Sequence, residues 1–175
     1  MGQERAAPDG IEHRHHRLPA PLRRPKLASL IVTTAILGCA LLGLAGGGPS
    51  PTHVVETSAV RFEVTTAAVL RSGLFYETRV RITPHRPFAD LVLGIEPSLW
   101  KDMTVNSTIP GAEKESFGKG MFRMSFGPAP AGEPIELKFD GQINPPLFGG
   151  NAGRMALFDG EAQVAGLSLR TKVLP

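Results

Sequence analysis

Cysteine is almost absent from this chain. Cys39 is the only one in 175 residues, so no intramolecular disulfide, four-thiolate zinc site or CxxC redox pair can form. A domain exported without such staples relies on its own core, which roughly 120 residues can supply. Excess charge is absent from most of the chain as well. The formal net charge is +3, and all of it lies before residue 27, where Arg5, Arg14, Arg17, Arg23, Arg24 and Lys26 stand against Glu4, Asp9 and Glu12. From Pro49 onward 13 basic side chains balance 13 acidic ones. Nucleic-acid binding needs cations clustered on a folded surface, so no nucleic-acid partner is expected. Beyond residue 48 there is also no helical periodicity.

What stands out instead is the uncharged run LASLIVTTAILGCALLGLAGGG, residues 27–48. As one helix it would span roughly 33 Å, enough for a hydrocarbon core of ~30 Å. Ser29, Thr33 and Thr34 are tolerable there because their hydroxyls bond back to helix carbonyls. Basic residues precede the run and none follows before Arg61, which predicts a cytoplasmic N-terminus and an extracytoplasmic C-terminal part. The expectation is a retained single-pass anchor in the plasma (inner) membrane. Gly43-Leu44-Ala45 is a small-x-small site, so cleavage after Ala45 and release of a secreted domain is the alternative. Lipid modification at Cys39 fits poorly, since the apolar run continues through Ala40-Leu41-Leu42. Residues 1–26 read as a disordered basic cytoplasmic tail. Its His13-Arg14-His15-His16 lacks a carboxylate or thiol partner for a metal and suits anionic headgroups better.

Residues 49–58 read as a linker, opening with Pro49-Ser50-Pro51 after three glycines. From residue 59 to 175 the period becomes two. In LFYETRVRI, Leu74, Tyr76, Thr78, Val80 and Ile82 share one face; in PIELKFDGQI, Ile135, Leu137, Phe139 and Ile143 alternate with charged and polar residues. Further strands are predicted over Val60–Val69, Phe88–Ile95, Met103–Ile109, Gly120–Phe126, Arg154–Phe158 and Gln163–Val173. Asp159-Gly160 is a hairpin signal, and prolines 84, 87, 97, 110, 128, 130 and 134 fall between the runs. Seven or eight short strands without an amphipathic helix predict an all-β fold, a two-sheet sandwich.

The stretch SFGPAPAGEPIELKFDGQINPP, residues 125–146, resembles bacterial immunoglobulin-like surface domains, in which a Pro-Ala-Gly-Glu turn feeds a long late strand. The resemblance implies an immunoglobulin-like sandwich and no activity. The layout of the whole chain is also similar to small anchored accessory proteins of bacterial respiratory-complex assembly. Copper-delivering members of that group use cysteines in the outer domain, and this chain has none there.

Chemistry-bearing motifs are sparse. Ser98-Leu99-Trp100-Lys101 and Ser116-Phe117-Gly118-Lys119 both match S-x-x-K, but the companion motifs of serine acyl-enzymes are missing and no helix sets Lys one turn from Ser. His53 and His85 are the outer imidazoles, with no nucleophile near them in sequence. Met121 and Met124 could offer soft sulfur to Cu(I), with Met103 or Met155 joining only through folding. On a strand, residues three apart face opposite ways, so core filling is the expectation. Asn106-Ser107-Thr108 reads as an exposed turn. No catalytic, cofactor or metal residue is assigned, and no enzyme is expected. The candidate partner-binding residues are Leu147 and Phe148, set between rigid prolines and flexible glycines in NPPLFGGN, together with Trp100. The reading favoured over partner binding is that Leu147 and Phe148 plug the open end of the core. The functional expectation is a membrane-anchored, non-catalytic binding or assembly-accessory module with the lipid bilayer and another envelope protein as partners. Copper delivery to a respiratory complex is the alternative.

Overall fold

Alternating sequence becomes alternating burial in the computed structural model, which describes residues 26–145 and 147–175. Eleven strands are formed among these residues: β1 Thr52–Glu56, β2 Val60–Thr66, β3 Val69–Arg71, β4 Phe75–Pro84, β5 Leu91–Ile95, β6 Met103–Ile109, β7 Lys114–Gly118, β8 Met121–Ser125, β9 Ile135–Ile143, β10 Asn151–Asp159 and β11 Ala162–Leu174. They make two sheets, ordered β1-β2-β4-β9-β6 and β3-β11-β10-β5-β8-β7. Every pairing is antiparallel except β3 with β11. The chain is an all-β sandwich preceded by one helix.

The core lies between the inner faces. Val60, Phe62 and Val64 of β2, Val80 and Ile82 of β4, and Leu137 and Phe139 of β9 meet Leu91, Leu93 and Ile95 of β5, Met155 and Leu157 of β10 and Leu169 of β11. Each such side chain contributes about 1.5–3 kcal/mol by leaving water, which a disulfide-free domain of this size requires. A smaller cluster closes one end with Leu70, Tyr76, Ile143, Leu147 and Val173. The outer face of the five-stranded sheet is a charge ladder instead. Arg61 bonds Glu56 and Glu63, Lys138 bonds Glu77 and Asp140, and Arg81 bonds Glu136. Pairs this exposed add little stability, but they leave that face neutral and wet.

Several boundaries differ from those read in the sequence. The helix α1 is Leu27–Leu41, not residues 27–48. Gly43 sits at φ 70°, Gly43 N–H donates to Ala40 C=O and Leu44 N–H to Cys39 C=O. These paired bonds are those of a Schellman end, with glycine at the left-handed C′ position. At 15 residues the helix is about 22 Å long. No helix among the described residues is long and apolar enough to cross a membrane. The expected linker at 49–58 contains β1, which pairs with β2 from Thr52↔Thr65 to Glu56↔Arg61. The single run Val60–Val69 is two strands broken at Ala67-Ala68, with β2 and β3 in different sheets. Leu74 precedes β4 and is exposed rather than buried. Residues 106–108 lie within β6 at a bulge instead of in a turn. The tail expectation, including its histidines, falls on residues 1–25, outside those described.

Candidate binding groove between two sheet edges

The two sheets end unevenly on one side. The five-stranded sheet stops at β6, while the six-stranded sheet continues through β8 to β7. Their inner faces separate there, leaving an open groove of about 860 Å³. Register decides its lining. Phe117 pairs with Phe122 and Glu115 with Met124 across β7–β8, and one strand face carries all four side chains. On the opposite wall β6 sends Met103 and Val105 inward; the bulge between Val105 and Ser107 then advances the phase, so that Thr108 opposes buried Phe139. Trp100, half-buried in the loop between β5 and β6, packs on Phe139 with ring centroids 5.6 Å apart.

The apolar lining is only partly covered. Phe117 is 64% exposed and Phe122 43%, held edge-to-face with centroids 5.5 Å apart. The exposed aromatic pair shares the groove lining with Trp100, Met103 and Val105, together with the polar side chains Ser107, Thr108 and Glu115. Arg123 is among the residues lining the groove, but its charge is engaged elsewhere. Its guanidinium lies over the Phe158 ring at 4.5 Å and donates to Gly160 C=O at 2.8 Å and Glu161 Oε1 at 2.9 Å. Lys119 also bonds Glu161 and, with Arg123, holds that carboxyl below its usual range.

The residues expected to bind a partner separate. Trp100 belongs to the groove. Leu147 is 5% exposed and packs with Leu70, Tyr76, Ile143 and Val173, so it plugs the core end. Phe148 is 64% exposed on the same loop. Phe117 and Phe122 were not singled out in the sequence; a lone phenylalanine inside the polar Lys114–Gly118 stretch was the available signal.

The remaining candidates are scattered. Met121 packs with Val92 and Phe158 on the outer face of the six-stranded sheet, while Met124 and Met155 face the core. His85 Nε2 meets Glu56 Oε1 at 2.6 Å, and this hydrogen bond is the main cause of the lowered pKa of Glu56. Ser98 to Lys101 form a turn, and Ser116 to Lys119 end β7. Among the described residues no group of three or more His, Cys, Asp and Glu side chains is placed to hold a metal ion.

No family model matches the chain, and no curated protein matches it. Solved structures align weakly. The sporulation control protein Spo0M of Bacillus subtilis aligns at 11% identity and TM-score 0.38, over 67% of this chain and 50% of its own; the chain thus spans about half of that protein. A non-cellulosomal cohesin from Archaeoglobus fulgidus aligns at 11% identity and TM-score 0.37, over 64% of this chain and 91% of its own. The Pseudomonas fluorescens alkylpurine DNA glycosylase AlkC, in a DNA complex, aligns at 11% identity and TM-score 0.33, over 82% of this chain and 36% of its own.

Proposed function

We propose that this protein is a membrane-held, non-catalytic binding module. Its immunoglobulin-like sandwich stands outside the cytoplasm and takes an extended apolar segment of another envelope protein into the groove between β6 and β7. The observation that carries the proposal is the Phe117–Phe122 pair, two large aromatic rings left in water on the inner face of a sheet. Partner sites are built around such aromatic anchors. The neighbouring strand edges would add main-chain hydrogen bonds to an extended chain. The bulge in β6 and the charges Lys114 and Glu115 on β7 discourage unselective edge pairing.

The membrane part of the proposal rests on α1. Its side chains are uncharged and mostly apolar, with no distinct polar face, and none is buried. A helix without a polar face is stable only when something apolar covers it, and a bilayer suits this uncharged helix with the basic residues that precede it. The immunoglobulin-like assignment is supported by Pro130-Ala131-Gly132-Glu133. Gly132, at φ 81°, turns this stretch into β9, a central strand of its sheet.

A photo-crosslinking residue at position 117 in the full-length chain, expressed in its own membranes, tests the groove. The expected result is one defined adduct, lost when Phe122→Ser is added and retained with Phe148→Ser. An adduct indifferent to Phe122→Ser, or an equal one from position 63 on the charged outer face, would exclude the groove as the binding surface.

A further inference from the structure

We infer that the end of the sandwich nearest the apolar run is itself a bilayer-contact surface, with Phe75 and Phe148 seated in the headgroup region of the membrane. This rests on the proposal that α1, Leu27–Leu41, is held in the membrane.

The two rings are far apart in sequence and are brought together by topology. β4 begins at Phe75 opposite Gln142, near the end of β9, and β10 begins at Asn151 opposite Thr171, near the end of β11. The loops between these strands are tied to one another. Gly73 N–H donates to Ile143 C=O at 3.0 Å and Gly149 N–H to Val173 C=O at 3.1 Å. Ser72 Oγ donates to Pro145 C=O at 2.9 Å. Phe75 is 72% exposed at this end, with Leu74 and Phe148 also exposed. Beneath them Leu147, Tyr76 and Leu70 are already packed, so the outer rings have no room in the core.

The chain leaves the apolar run at this same end. Arg71 Nε donates to Ala45 C=O at 2.7 Å, and residues 42–44, 48 and 49 line a hollow with Ala68, Val69 and Lys172. Leu42 and Leu44 are exposed beside it. Charge agrees with an anionic surface. Arg71, Lys101 and Lys172 are exposed there, with Asp102 among them, while Glu77 beside Phe75 is neutralised by Lys138 and Arg79. Apolar rings ringed by cations, on the face where a membrane segment emerges, match the chemistry of an interfacial contact. The opposite end shows no such cluster among the described residues; Ile109 is its exposed large apolar side chain.

The single native cysteine makes the test direct. The full chain is labelled with an environment-sensitive maleimide at Cys39, or at Phe75→Cys, Phe148→Cys or Ile109→Cys in a Cys39→Ser background. Each is reconstituted in vesicles of phosphatidylethanolamine and phosphatidylglycerol carrying nitroxide lipids. The inference expects strong quenching at 39, at least threefold more quenching at 75 and 148 than at 109, and loss of that excess when phosphatidylcholine replaces phosphatidylglycerol and Arg71→Ala with Lys172→Ala is introduced. Quenching at 39 with 75 and 148 no different from 109 would overturn the contact surface and leave the anchor intact. No quenching at 39 would overturn the anchor and the contact together.

Discussion

Tyr76 shows how a single residue reports on the core end. It is the only tyrosine, its ring lies against Gly141 where a Cβ would come within 2.5 Å of it, and its hydroxyl is buried without a partner among the described residues. Burial pushes its pKa up to about 12. The phenolate is disfavoured in the folded state, so the folded chain keeps a proton that the unfolded chain has lost above its ordinary value of about 10. Stability is therefore unaffected by this group below pH ~10 and falls as pH rises from ~10 to ~12, by up to about 3 kcal/mol. Tyrosinate absorbance read across that range should show a native midpoint near 12 that drops to about 10 in denaturant. Tyr76→Phe should remove this part of the alkaline loss and leave stability at neutral pH unchanged or raised by about 1 kcal/mol, because an unpaired buried hydroxyl is removed. A native midpoint near 10 would mean that the ring is not buried as described.

Elements with one buried face were legible in the sequence, and elements without one were not. β4 and β9 alternate cleanly because one side meets the core and the other meets water, and their inward residues Tyr76, Val80, Ile82, Leu137, Phe139 and Ile143 are buried as expected. β1 and β7 are edge strands with mostly exposed residues, so THVVE and KESFG carry no such signal. The helix end was encoded by Gly43, which a search for charge-free length passes over. The groove was hidden for another reason: its walls come from β6 and β7–β8, brought together by sheet order and not by spacing. The loop at 144–150 was legible as a feature, but its two large residues do opposite things. Leu147→Ala should cost about 2–4 kcal/mol in urea unfolding through the cavity it leaves, whereas Phe148→Ser should change stability by less than about 0.5 kcal/mol. Equal, small effects would contradict the core-plug role of Leu147.

At the scale of the whole molecule, three surfaces differ in character. The outer face of the five-stranded sheet is self-paired and wet, the groove side presents aromatic rings, and the end beside the apolar run carries rings among cations. Tethering would raise the effective concentration of any partner in the same bilayer, so a groove of modest intrinsic affinity would suffice. That economy holds only if the sandwich lies on the far side of the membrane from residues 1–26. Ser58 is exposed on the connection between β1 and β2, well placed to report this. In a Ser58→Cys, Cys39→Ser chain, a membrane-impermeant maleimide applied to intact spheroplasts should label the protein as fully as after lysis. Labelling that appears only once the membrane is broken would place the sandwich in the cytoplasm and contradict the account.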